Sequence, residues 1–180
     1  MYKVYPKIIL ACLLLVMTGT VYSQRVTQTI NDGWKFSLFE GDASTADFDI
    51  SGWTDVSIPH TWNAKDADDE IPGYFRGKGW YRKVVAVEEL IPEQRVYLSF
   101  EGANQETNVF VNGTFVGNHK GGYSAFTFDV TDYVHAGRNL IAVSVDNSHN
   151  PDIAPLSADF TFFGGIYRDV YLVYTSPDRK

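Results

Sequence analysis

The Asn112-Gly113 pair, set between the apolar runs of residues 107–111 and 114–117, constrains this chain more than any other short stretch. Both central residues of a type I′ turn need positive φ, which Asn and Gly tolerate, so the two runs are predicted to pair as a β-hairpin. The same alternation recurs elsewhere. Trp34, Phe36 and Leu38 alternate with Lys35 and Ser37. Tyr81, Lys83, Val85 and Val87 alternate with Arg82, Val84 and Ala86. Val96, Leu98 and Phe100 share a face, as do Phe126, Phe128 and Val130. A period of two marks half-buried strands. Further short strands are predicted over 53–58, 139–146 and 166–173, with a tight bend at Gly164-Gly165 feeding the last. About eight or nine strands joined by turns, with no sustained helical period, predict an all-β antiparallel sandwich.

Two segments interrupt this rhythm. Residues 63–78 carry Asp66, Asp68, Asp69 and Glu70 and then Pro72, Gly73 and Gly77, with Gly79 just beyond, and residues 147–158 hold Pro151 and Pro155. Long irregular loops in a compact domain are more often functional than connections of ordinary length. The 39–51 stretch also lacks a pattern and reads as a surface connection around Phe48 and Ile50.

Composition narrows the class of partner. A formal net charge of −7 opposes nucleic acid or an acidic membrane, each of which needs a basic face, and suits a neutral ligand such as a sugar. The only cysteine, Cys12, lies in residues 1–23, which have the anatomy of a signal peptide: Lys3 and Lys7, an apolar core over 8–17, and Val21-Tyr22-Ser23 before Gln24. Export to the periplasm or beyond is expected, with residues 24–180 as one domain. The apolar run is about half the ~20 residues of a spanning helix, so no membrane span is expected. A lipoprotein reading through Cys12 is weaker, because the apolar stretch before it is short and continues after it.

Five motifs in order complete the pattern: NDGW at 31–34, PHTWN at 59–63, GWYRK at 79–83, VFVNG at 109–113 and DFTFFGGIYRDVYL at 159–172. Together they resemble the N-terminal sugar-binding domain of glycoside hydrolase family 2, the family of β-galactosidases, β-glucuronidases and β-mannosidases, over nearly everything after residue 25. The resemblance is read as β-galactosidase-like. It implies a jelly-roll (galactose-binding-like) β-sandwich packing beside a catalytic barrel absent from this chain, with a β-galactoside or related β-glycoside as the carbohydrate. In the family the catalytic glutamates belong to that barrel, so this chain alone is expected to be inactive and to hold no catalytic residue.

Asp159 is the foremost candidate for substrate binding. A carboxylate beside Phe160, Phe162 and Phe163 suits a sugar, whose hydroxyls it accepts from while rings cover the C–H face. The resemblance implies that an Asp at this place reaches the active-site pocket and, in certain β-galactosidases, a sodium ion; a sodium or other cation at that shared site is the only cofactor considered. The alternative is that Asp159 caps a turn through backbone amides. Asn63 and Asp66 are the second candidates, against a solvated acidic loop. The spacing of the acidic run lacks the glycine and distal glutamate of an EF-hand, and the histidines lack zinc spacing, so no metal ligand set is assigned. His60 and Trp62 read as framework residues, and Arg168 and Asp169 as a structural ion pair or a cross-strand tie. Two other functional classes stay open: a free-standing carbohydrate-binding module using exposed aromatics, and a structural spacer.

Overall fold

In a computed structural model, residues 25–66, 73–157 and 161–175 are described. Ten strands follow in order: β1 Val26–Thr29, β2 Trp34–Leu38, β3 Thr54–Val56, β4 Lys78–Val87, β5 Arg95–Phe100, β6 Glu106–Val111, β7 Thr114–Lys120, β8 Phe126–Asp129, β9 Gly137–Asp146 and β10 Val170–Thr175. They form two antiparallel sheets, one in the order β1-β10-β5-β8 and the other β3-β2-β4-β9-β6-β7. This is the two-layer sandwich that the alternation predicts.

The hairpin between β6 and β7 turns at Asn112 (φ 51°) and Gly113 (φ 81°), as the sequence requires. Asn112 also braces the turn from outside, its Nδ2 donating to Tyr133 O and its Oδ1 accepting from Leu140 N, each at 2.9 Å.

The count exceeds the expected eight or nine by β1. All four of its residues are exposed, so no burial alternation marks it in the sequence; its place comes from pairing with β10, Val26 opposite Tyr174 through Thr29 opposite Tyr171. The last strand begins at Val170 rather than Ile166, because residues 166–169 still serve the bend. Asp169, just ahead of β10, ties that strand's start to the turn between β1 and β2, accepting from Asn31 Nδ2 at 2.9 Å, and also accepts from the Tyr171 hydroxyl at 3.0 Å. Arg168 instead lies over the Tyr167 ring at 5.7 Å.

Between the sheets, Trp34, Tyr81, Leu98, Phe100, Val109, Ile141, Ile166 and Leu172 are fully buried. Trp34 satisfies its indole by donating to Ile30 O at 2.7 Å. A second, smaller core lies outside the larger sheet, where the 39–53 segment folds over β4 and β9. Ala43, Trp80 and Ala142 are buried there with Phe48, Trp53 and Phe110 against them. Arg82 is sealed beneath this cover, donating to Ala43 O at 2.7 Å. The patternless connection is therefore a lid on the sheet, and beneath it residues 79–82 of β4 and 141–145 of β9 are buried on both faces.

Candidate functional site

Irregular segments gather at one end of the sandwich, and two asparagines hold them together. Asn63 is 2% exposed. Its Nδ2 donates to Asp66 Oδ2 and to Phe75 O, both at 2.7 Å, and its Oδ1 accepts from Gly164 N at 2.6 Å and from Asn147 Nδ2 at 3.4 Å. A side-chain amide has two donors and two acceptor sites, so Asn63 is fully committed to protein partners. Asn147, equally buried, accepts from Gly77 N at 2.9 Å and donates to Phe162 O at 2.9 Å. Asp66 closes the ring by accepting from Phe75 N at 2.8 Å through the oxygen that Asn63 holds.

The double glycine is what allows the last loop to come this close. A Cβ on Gly164 would sit 2.0 Å from Trp62 and 2.8 Å from Asn147, and one on Gly165, at φ +116°, would sit 2.6 Å from both His60 O and the Tyr81 hydroxyl. A side chain at Gly164 would have to displace the buried Trp62 and Asn147 side chains, and one at Gly165 the backbone of residues 60–61 itself. The PHTWN motif forms the other wall of this contact. His60 Nδ1 lies 2.7 Å from the Tyr81 hydroxyl, and His60 N donates to Ile166 O at 2.8 Å. Trp62 stacks on Phe36 with ring centroids 5.8 Å apart. Burial pushes the His60 pKa below 6.5 and the Tyr81 phenol upward, so the pair is neutral near neutrality.

On the open side of this framework the surface is aromatic. Phe75, Tyr123 and Phe163 are about half exposed. The Arg76 guanidinium lies 4.9 Å from the centroids of both Tyr74 and Phe162. The sequence placed Asn63 and Asp66 in one loop, and the structure joins them by a side-chain hydrogen bond and by one from Asp66 N to Asn63 O at 3.3 Å. Asp159 and the acidic residues 68–70 lie outside the described residues. Among the described residues, no group of three or more His, Cys, Asp or Glu side chains converges into a metal site. Asn147 was missed in the sequence; its only signal was a polar residue directly after the end of β9.

The profile described as glycosyl hydrolases family 2, sugar binding domain, matches residues 27–177. The chain belongs to glycoside hydrolase family 2. Over 174 residues it is 37% identical to a putative β-glucuronidase of Formosa agariphila, covering 93% of this chain and 21% of that protein. It is 40% identical over 157 residues to a β-galactosidase of Thermoanaerobacter pseudethanolicus, covering 82% and 19%. The crystal structure of a Bacteroides uniformis β-glucuronidase superposes with a TM-score of 0.78 at 46% identity, over 86% of this chain and 18% of the other. The family 2 domain thus spans about a fifth of the length of the curated relatives it matches.

Proposed function

We propose that this sandwich is the non-catalytic sugar-binding domain of an exported β-glycosidase, packed on a separate catalytic barrel and lending Asp159 to the wall of the sugar pocket. In this reading Asn63 and Asp66 contribute by position. They fix residues 73–77 and 161–165 against one another, and in the sequence Asp159 stands two positions before Thr161. A sodium or other cation at the shared site would draw on the Asp159 carboxylate as a hard oxygen ligand.

The observation that carries the proposal is the family 2 match across the whole described sandwich, together with relatives named β-glucuronidase and β-galactosidase that are roughly five times as long. A two-sheet shell whose loops are tied at one end by Asn63 and Asn147, with Phe75, Tyr123 and Phe163 left open there, suits a wall for a ligand that is part hydroxyl and part C–H surface. The relatives' names leave two substrate classes, β-galactosides and β-glucuronides.

Asp159→Ala in the intact enzyme tests the proposal. The expected result is a loss of kcat/KM of at least about tenfold, equivalent to ~1.4 kcal/mol of transition-state stabilisation, with unchanged thermal unfolding. Unaltered kinetics on both β-galactosides and β-glucuronides would remove the residue from the site.

A further inference from the structure

The double-glycine segment is gripped from two sides. On one side its backbone exchanges hydrogen bonds with Asn104, at 3.0 Å from Asn104 N to Gly165 O and 3.3 Å from Gly165 N to Asn104 O. On the other it meets His60, whose backbone N donates to Ile166 O at 2.8 Å and whose ring Nδ1 lies 2.7 Å from the Tyr81 hydroxyl. The two grips differ in kind. Bonds between backbone groups do not titrate, whereas the second runs in part through an imidazole, which does.

The direction of the bond between His60 and Tyr81 follows from what surrounds the hydroxyl. The Ile166 backbone N–H donates to the Tyr81 oxygen, so the hydroxyl hydrogen is directed to Nδ1. Nδ1 is therefore the acceptor, and the neutral ring carries its hydrogen on Nε2. Tyr81 is 0% exposed, so bulk water cannot stand in for that acceptor. His60 itself is only partly buried, and a proton reaches its ring without unfolding. Among the described residues the ring is faced by the Tyr81 hydroxyl from β4, by the Phe36 ring from β2 at 4.7 Å and by the backbone of Gly165 and Ile166. No charged side chain among them acts on it, and burial holds its pKa below the ordinary 6.5.

We propose that His60 is a proton-operated catch on the double-glycine segment: protonation at Nδ1 turns the acceptor into a second donor, breaks the bond from the Tyr81 hydroxyl and loosens residues 165–167. A proton on Nδ1 sets two hydrogens, that of the imidazolium and that of the phenol, against each other across 2.7 Å. The hydroxyl relieves this by rotating, which turns its lone pairs away from the Ile166 N–H. No side chain cushions the segment from that movement, since a Cβ at Gly165 would sit 2.6 Å from the Tyr81 hydroxyl and from His60 O alike. The Asn104 backbone bonds and the bond from Gly164 N to Asn63 do not titrate and stay in place, so the segment slackens about Ile166 rather than detaching. Every residue the catch needs is in this chain. Its bearing on a sugar pocket rests on the reading above, in which residues 161–165 support the wall.

An NMR titration of the chain from about pH 7.5 to about pH 4.5 tests it. The neutral His60 ring is expected to carry its hydrogen on Nε2, to titrate with a midpoint below 6.5 and to share that midpoint with the amides of residues 165–167. Over the same step their hydrogen-exchange protection should fall about tenfold, while that of residues 141–145 is retained. His60→Asn sets a carboxamide oxygen, which does not titrate, near the place of Nδ1 and should abolish the step at 165–167. The catch is overturned by a neutral ring with its hydrogen on Nδ1, by amides at 165–167 that ignore the His60 midpoint, by a step that persists in His60→Asn, or by loss of the whole spectrum before the ring titrates. Should His60→Asn fail to fold, Tyr81→Phe keeps the ring packing and should leave 165–167 weakly protected at every pH; a retained step there overturns the catch equally. Turnover of Asp159→Ala in the intact enzyme is independent of all these outcomes, so the catch can fall while the domain's proposed role stands, and the reverse.

Discussion

The side-chain oxygen of Asn63 lies 2.6 Å from the backbone nitrogen of Gly164, joining positions 101 residues apart through a buried bond. The two loops that the sequence sets at opposite ends of the domain are thereby one rigid unit. Long-range ties of this kind convert a pair of irregular segments into a surface of fixed shape.

Asn63→Ala should therefore lower stability by about 2–3 kcal/mol, because the Gly164 N–H is left buried without its acceptor and Asp66 keeps only the Phe75 N–H as donor. Urea denaturation is the check: the midpoint should fall with little change in slope.

Gly165→Ala should be worse than its small size suggests. It combines a positive φ with contacts of 2.6 Å to a backbone oxygen and a phenol, for a cost of about 2–4 kcal/mol. Thermal unfolding should drop by roughly 5–15 °C. Gly52→Ala, with nothing near the new methyl and an ordinary φ, should stay within about 0.5 kcal/mol of the parent.

Acidification should weaken the fold through His60. Burial holds its folded pKa below the ordinary 6.5, so above 6.5 the ring is neutral in both states and its contribution is complete. As pH falls past 6.5 the unfolded chain takes up the proton first, and stability declines until the folded pKa is passed. His119, whose pKa burial also depresses, adds to the same slope. Unfolding free energy measured across this range should fall less steeply in His60→Gln, even if that variant is less stable at neutral pH.

Arg82 offers a test of the cover over the larger sheet. Its guanidinium is buried, its Nε has no partner, and desolvation lowers its pKa. Arg82→Met keeps the aliphatic stem and removes the buried charge, and should range from unchanged to about 2 kcal/mol more stable. Arg82→Ala empties the space and should cost about 2–3 kcal/mol. Equal losses in both variants would mean that the guanidinium itself holds the 39–53 cover through its bond to Ala43 O.

Much of the sandwich was legible because its strands alternate and its main hairpin has obligatory turn chemistry at Asn112-Gly113. Strand β1 was not, since an exposed edge strand buries nothing and so writes no pattern. The role of 39–53 was hidden for another reason: Phe48 and Trp53 pack individually onto Trp80 and Ala142 without a repeating interval. At the candidate site, the 59–63 motif and the double glycine stood out as features, and Gly165 does carry the positive φ that such a bend needs. Their mutual dependence was invisible. Asn63, Asn147 and Gly164 are drawn together by single hydrogen bonds across 84 and 101 positions, and no local composition signals which polar residue a buried amide will find. For Asn104, after the Glu101-Gly102 corner, the sequence leaves open whether it faces the barrel or a ligand, because its distinction is an oxygen left over after folding.

The 39–53 cover has a mechanical consequence. With packing on both faces, the stretch where residues 79–82 of β4 pair with 142–145 of β9 lacks the solvent access that lets strand backbones open locally, so amide exchange there should be governed by global unfolding. The larger sheet then serves as a stiff backplate. Its loops can differ from one family 2 domain to another without the deformation spreading into the strands that carry them.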